Sequence, residues 1–111
     1  MVRAATCLKQ TVRRHSGAVR AGIEAVKTAC HAPLTQIVKN AGQEPAIVLS
    51  KVSRLRGNQG YNAETGKFND MFDDGIIDPV KVTRCALENA VSVAGLMLTV
   101  DTAIVEDDPA T

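Results

Sequence analysis

No stretch of this chain limits the fold more than the one from Gly60 to Arg84. Its first part, Gly60-Tyr61-Asn62-Ala63-Glu64-Thr65-Gly66, sets two glycines around polar turn formers. That pattern suits a backbone needing unusual dihedrals or close approach to something bound. Its second part, Gly75-Ile76-Ile77-Asp78-Pro79-Val80-Lys81-Val82-Thr83-Arg84, puts Asp78 directly before Pro79. This is the order of an N-cap and a first helical position, so a helix is expected to start there. Asn62 and Asp78 therefore fall at the rims of elements, where polar side chains can meet a ligand.

The segments before this stretch are helical in period. Residues 17–31 carry Val19, Ile23, Val26 and Cys30 at helical spacing, with good formers between them. Pro33 predicts a break near Ala32, after which Leu34, Ile37, Val38 and Ala41 share a face until Asn40-Ala41-Gly42 stops the helix. Glu44-Pro45 opens a short helix with Ile47, Val48 and Val52, running towards Leu55. Brief runs around Tyr61 and Lys67-Phe68 suit a small hairpin, with both aromatic rings as packing residues. Met71-Phe72 reads as an apolar anchor in a single helical turn.

Pro79 to Leu98 is the longest predicted helix. Val82, Ala86, Ala90, Val93 and Met97 line one face, and Leu87, Val91, Ala94 and Leu98 the next. Burial on several sides is therefore expected for its second half. Thr102–Val105 is β-branched and reads as a strand, ended by Asp107-Asp108-Pro109.

At 111 residues the chain holds one domain at most. Only 3% of it is aromatic, so the core must be built from Ala, Val, Leu and Ile. A net charge of +1 gives no reason to expect a nucleic-acid partner. Cys7, Cys30 and Cys85 are widely spaced and odd in number, which argues against a disulfide framework or zinc site and favours a reducing compartment. Cys30 and Cys85 read as buried small hydrophobes. The apolar run Ala90–Val100 falls far short of the roughly 20 residues of a membrane span. Arg3, Lys9, Arg13, Arg14 and Arg20 all precede the first acid, Glu24. Such a start resembles an organelle transit segment, although a solvated or frayed N-terminus accounts for it more simply. His15 and His31 have no partner at metal spacing, so no metal site is expected.

The Gly60–Arg84 stretch resembles the C-terminal part of the equatorial domain of group I chaperonins, the GroEL-type family of ATP-driven protein-folding rings. The resemblance extends upstream through Ala32-Pro33-Leu34-Thr35-Gln36-Ile37-Val38 and Asn40-Ala41-Gly42-Gln43-Glu44-Pro45. Downstream it runs through Ser92-Val93-Ala94-Gly95-Leu96-Met97-Leu98-Thr99 to Ala103-Ile104-Val105-Glu106. It covers residues 22–106. The expected organisation is a poorly matched basic N-terminus over 1–16, a partial equatorial domain over 17–106 and a tail over 107–111. The implied fold is mainly α, the C-terminal half of a chaperonin equatorial domain, with helices, a small β-hairpin and a C-terminal strand. Ser53-Arg54-Leu55-Arg56 departs from the looser, glycine-bearing turn the family keeps there.

The resemblance implies that Asn62, Ala63 and Glu64 border the base of bound ATP and that Asp78 accepts hydrogen bonds from the ribose hydroxyls. The chemistry suits them: an amide offers donors and an acceptor to a heteroaromatic edge, and a carboxylate accepts from two adjacent hydroxyls. By spacing alone, Asp78 is a helix cap worth about 1 kcal/mol and Asn62 a turn residue. The family's phosphate loop, magnesium-binding acid and catalytic acid have no counterpart in these residues, so no catalytic residue is assigned and only an adenosine half-site is expected. No phosphate-cradling GxxxxGK[ST] motif replaces them.

The implied function is ATP-dependent protein folding, with the isolated chain inactive. The implied partners are chaperonin subunits in a homo-oligomeric ring, together with client proteins and a co-chaperonin reached through other domains. The expected compartment is the cytoplasm, or alternatively a mitochondrial matrix or other organelle. A reading of another class is a stand-alone helical interaction protein that docks on, or acts as a decoy for, an intact chaperonin ring.

Overall fold

The computed structural model describes residues 1–104. The fold is mainly helical, with five helices and one two-stranded sheet among the described residues. Contacts divide the chain into two units, Met1–Asp78 and Pro79–Thr111.

The first unit opens with α1 (Val2–Arg14), so the basic start is ordered helix rather than a frayed segment. Ala, Leu, Gln, Lys and Arg all favour helix, and Val2, Ala5 and Val12 fall on one face and are buried. Arg13 and Arg14 lie in the last turn, where they complement the helix dipole. Next come α2 (Gly17–Ala29) and α3 (Ala32–Asn40), separated by a tight turn at Cys30-His31. Pro33 sits in the first turn of α3, where its missing N–H costs nothing. A Schellman pair of hydrogen bonds, Gln43 N to Val38 O and Gly42 N to Lys39 O, closes that helix as its Asn-Ala-Gly ending predicts. The Glu44 carboxylate accepts from the Ala46 amide and caps α4 (Pro45–Val52).

The core is a valine cluster. Val2, Val38, Val48 and Val52 are buried together, with Leu34, Leu49, Leu55, Tyr61 and Phe68 packed against them. Val38 is fully enclosed, at 0% exposure. This is the aliphatic core that a chain so poor in aromatics requires. Cys30 is buried as expected, whereas Cys85 is exposed, as is Cys7.

The hairpin pairs β1 (Gln59–Asn62) with β2 (Lys67–Asp70) in antiparallel register, Tyr61 opposite Phe68 and Asn62 opposite Lys67. The two rings lie 5.1 Å apart on the face turned to the valine cluster, which agrees with their reading as packing residues. Lys51 of α4 places its ammonium 3.8 Å from the Phe68 ring centroid and covers the outer side of that ring.

Two expectations fail in the turn after β2. Phe72 is 59% exposed rather than an anchor, because Asp70 captures the Phe72 N–H and turns the chain outward; Met71 alone packs inward. Asp78 is not the cap either: Pro79 is the N-cap residue of α5 (Val80–Met97). The Pro79 carbonyl accepts from the amides of Val82 and Thr83, and no side chain among the described residues caps this helix.

The second unit consists of α5 and the segment that follows it. Burial on several sides is the expectation for the second half of α5, yet none of the helix's residues is buried. Apolar periodicity makes a surface suitable for burial but does not supply the surface that covers it. The expected C-terminal strand does not form over Thr102–Ile104, which pair with no other strand among the described residues, since a strand exists only when another supplies its hydrogen bonds. Val105, and with it the expected tail, lies outside the described residues.

Candidate functional site

The hairpin turn is built around one side chain. Asn62 is 6% exposed, a polar residue buried in a largely aliphatic unit. Its Oδ1 accepts from the backbone amides of Glu64, at 3.0 Å, and Thr65, at 3.3 Å. Its Nδ2 donates to Asp74 Oδ2 at 2.8 Å. The Asn62 carbonyl also accepts from the Gly66 amide, at 2.9 Å, which closes the loop Ala63-Glu64-Thr65-Gly66. Asn is suited to this because its side chain caps the amides two and three residues on.

The two flanking glycines meet two different demands. Gly66 has φ +68°, a left-handed conformation that favours glycine. Gly60 has ordinary dihedrals, but a Cβ there would lie 2.6 Å from Met71 Cγ. Close approach is therefore real at Gly60, and within this chain the neighbour is Met71.

Asp74 is the residue that sequence reasoning missed. Its Oδ2 also accepts from Asn69 Nδ2 at 3.2 Å, so one carboxylate oxygen ties β1 and β2 to the turn that follows. The Asp74 amide in turn donates to the Asp70 carbonyl, and Ile76 N donates to Met71 O. Asp73-Asp74-Gly75 is a recognisable turn sequence, but its acids read only as charge excess until the fold brings Asn62 to them.

The candidates thus separate. Asn62, Ala63 and Glu64 come together in one pinned turn, Ala63 half-buried and Glu64 exposed. Asp78 is exposed, and among the described residues its carboxylate makes no hydrogen bond, so both oxygens are open to a ligand. The Asn62 amide, by contrast, is already committed: both acceptor positions and one donor serve the turn. At most one N–H remains for a base. What the turn leaves free for a ligand is the backbone and exposed groups of Ala63 and Glu64 rather than the Asn62 side chain.

An open depression of ≈ 550 Å³ lies along α4, lined by Ala46, Ile47, Ser50, Lys51, Arg54 and Leu55. It contains none of the four candidates. Among the described residues no group of His, Cys, Asp or Glu is arranged to hold a metal, and no helix is long and apolar enough to cross a membrane.

Comparison with known proteins places this architecture. The chain is similar in structure to the open-state monomer of a group II chaperonin from Methanococcoides burtonii, with a TM-score of 0.81 at 19% sequence identity. The match takes in 89% of this chain but 26% of that one, so these residues span about a quarter of the solved chaperonin. At that identity the likeness speaks for the fold. In sequence, the pattern of the TCP-1/cpn60 chaperonin family matches residues 1–108 and so includes the basic N-terminal helix. A pattern running through nearly the whole chain, joined to a shared fold, leaves one assignment: this protein belongs to the TCP-1/cpn60 chaperonin family.

Proposed function

We propose that the chain is the C-terminal equatorial portion of a group I chaperonin, an ATP-dependent protein-folding chaperone working as a ring of subunits, and that it carries the adenosine end of the nucleotide site. Group I is favoured by the close resemblance of residues 22–106. In this reading Ala63 and Glu64 border the base, Asn62 holds their turn in place, and Asp78 accepts from the ribose hydroxyls. The observation that carries it is the division of labour between two polar residues at the rims of elements. Asn62 is spent on fixing the turn, while the Asp78 carboxylate is exposed with nothing bonded to it among the described residues.

Phosphoryl transfer depends on charge and metal positioned around the phosphates. The resemblance assigns that work to other parts of the family fold. Two or three net hydrogen bonds of about 1 kcal/mol each, with partial burial of the base, give about 3–4 kcal/mol, which corresponds to millimolar binding or weaker. Titration calorimetry of the 111-residue chain with ATP should show such weak binding, matched by adenosine and lost in Asp78→Ala. Micromolar affinity, turnover by the chain alone, or binding indifferent to Asp78→Ala would overturn the half-site.

A further inference from the structure

Asp74-Gly75 is the one place in the chain where an aspartate or asparagine directly precedes a glycine. An intramolecular reaction is open to such a pair. The amide nitrogen of Gly75 can attack Asp74 Cγ, and glycine lacks the side chain that would obstruct the approach. An N–Cγ bond forms, the Cγ–OH bond breaks, and the hydroxyl leaves as water with the Gly75 amide proton. Water then opens the cyclic imide at one of its two carbonyls. Opening at Cγ restores aspartate. Opening at the Asp74 backbone carbonyl gives isoaspartate, with the main chain rerouted through Cβ and Cγ. The two steps are redox-neutral and consume only the water they release. Asp78 has no such path, because Pro79 carries no N–H.

In the folded chain the groups this reaction needs are held. Asp74 Oδ2 accepts from Asn62 Nδ2 at 2.8 Å and from Asn69 Nδ2 at 3.2 Å. The Gly75 amide donates to Phe72 O at 3.1 Å, which keeps its proton engaged. Bonds from Asp74 N to Asp70 O, at 3.1 Å, and from Ile76 N to Met71 O, at 2.8 Å, fix the backbone on either side. Cyclisation takes the Gly75 proton from Phe72 and breaks up the carboxylate that the two amide donors share. The turn must open before either can happen.

We propose that Asp74-Gly75 is a self-modification site, converted to isoaspartate when the turn opens and protected while it is closed. The structural effect runs one way. Isoaspartate adds a methylene to the main chain and attaches the free carboxylate directly to Cα. That draws it away from Asn62, whose amide is buried and loses its acceptor. A turn open long enough to isomerise cannot be pinned again, so the hairpin keeps a covalent record of its own local opening.

The 111-residue chain, aged in neutral heavy-oxygen water, tests the site when mapped with an endoproteinase that cuts before aspartate but not before isoaspartate. Chain unfolded in urea should gain isoaspartate at residue 74, carrying one heavy oxygen, ahead of every other acid. Folded chain should convert more slowly by about tenfold or more, as expected when a hydrogen-bonded charged group must first be released. Asn69→Ala, which removes one of the two donors, should speed conversion in the folded chain with the rest of the turn in place. Asn62→Ala should speed it further, and Asp74→Glu, which would have to close a larger ring, should not convert. No isoaspartate at residue 74 in urea, equal rates in folded and unfolded chain, or a folded-state rate unmoved by both asparagine variants would overturn the proposal.

Discussion

The side-chain amide of Asn62 donates a 2.8 Å hydrogen bond to the carboxylate of Asp74, twelve residues further along, and this contact joins the hairpin to the turn leading towards Asp78. Both partners of the bond are themselves bonded within their own turns. The hairpin loop and the following turn are therefore held as one element, which carries Asn62, Ala63 and Glu64 and whose last bond, from Ile76 N to Met71 O, lies two residues before Asp78.

Removing Asp74 should loosen that element. Asp74→Ala leaves the Asn62 amide buried without its acceptor, and an unsatisfied buried donor costs about 1–3 kcal/mol. Urea denaturation followed by Tyr61 fluorescence should report a loss of that size. A midpoint equal to wild type would show that the bond contributes nothing.

At Gly60 the expected fault is steric. Gly60→Ala drives a methyl group against Met71 Cγ and should cost about 1–3 kcal/mol. The prediction is specific because shortening the neighbour makes room. Adding Met71→Ala should therefore produce a double-mutant cycle with favourable coupling, and strict additivity would count against the contact.

Val38 offers a measure of the core. It is the residue sealed completely among Val2, Val48 and Val52, so Val38→Ala leaves a cavity and should cost about 2–3 kcal/mol by denaturant titration. The same change at Val91, which is 48% exposed in α5, should cost far less.

Asp78 should behave in the opposite way to Asn62. Asp78→Ala removes an exposed carboxylate with no bonded partner among the described residues, so the unfolding midpoint should stay where it is while adenosine binding is lost. Asn62→Ala should lower the midpoint, since it strips the turn of two acceptor bonds and one donor bond. Equal stability losses in the two variants would dissolve the division of labour assigned to them.

Much of this arrangement was legible in the residues. Apolar spacing and the Pro and Gly punctuation located α2 to α5 and the hairpin within a residue or two, because helix period and turn chemistry act over a few neighbours. The family resemblance likewise singled out Asn62 and Asp78. What spacing could not show was the use each polar group would find. Asn62 became a structural pin because folding carried Asp74 to it, and Asp78 yielded the capping position to Pro79 and stayed open.

Local order alone therefore determined where this chain forms helices, where it turns, and that its core is aliphatic. Tertiary structure alone decided what those elements meet: α1 found a core to bury Val2 in, whereas α5, the longest helix, found none among the described residues. The reason is physical. Periodicity and capping are satisfied within a few residues of one segment, but burial and strand pairing need a second surface, and no segment encodes its own partner.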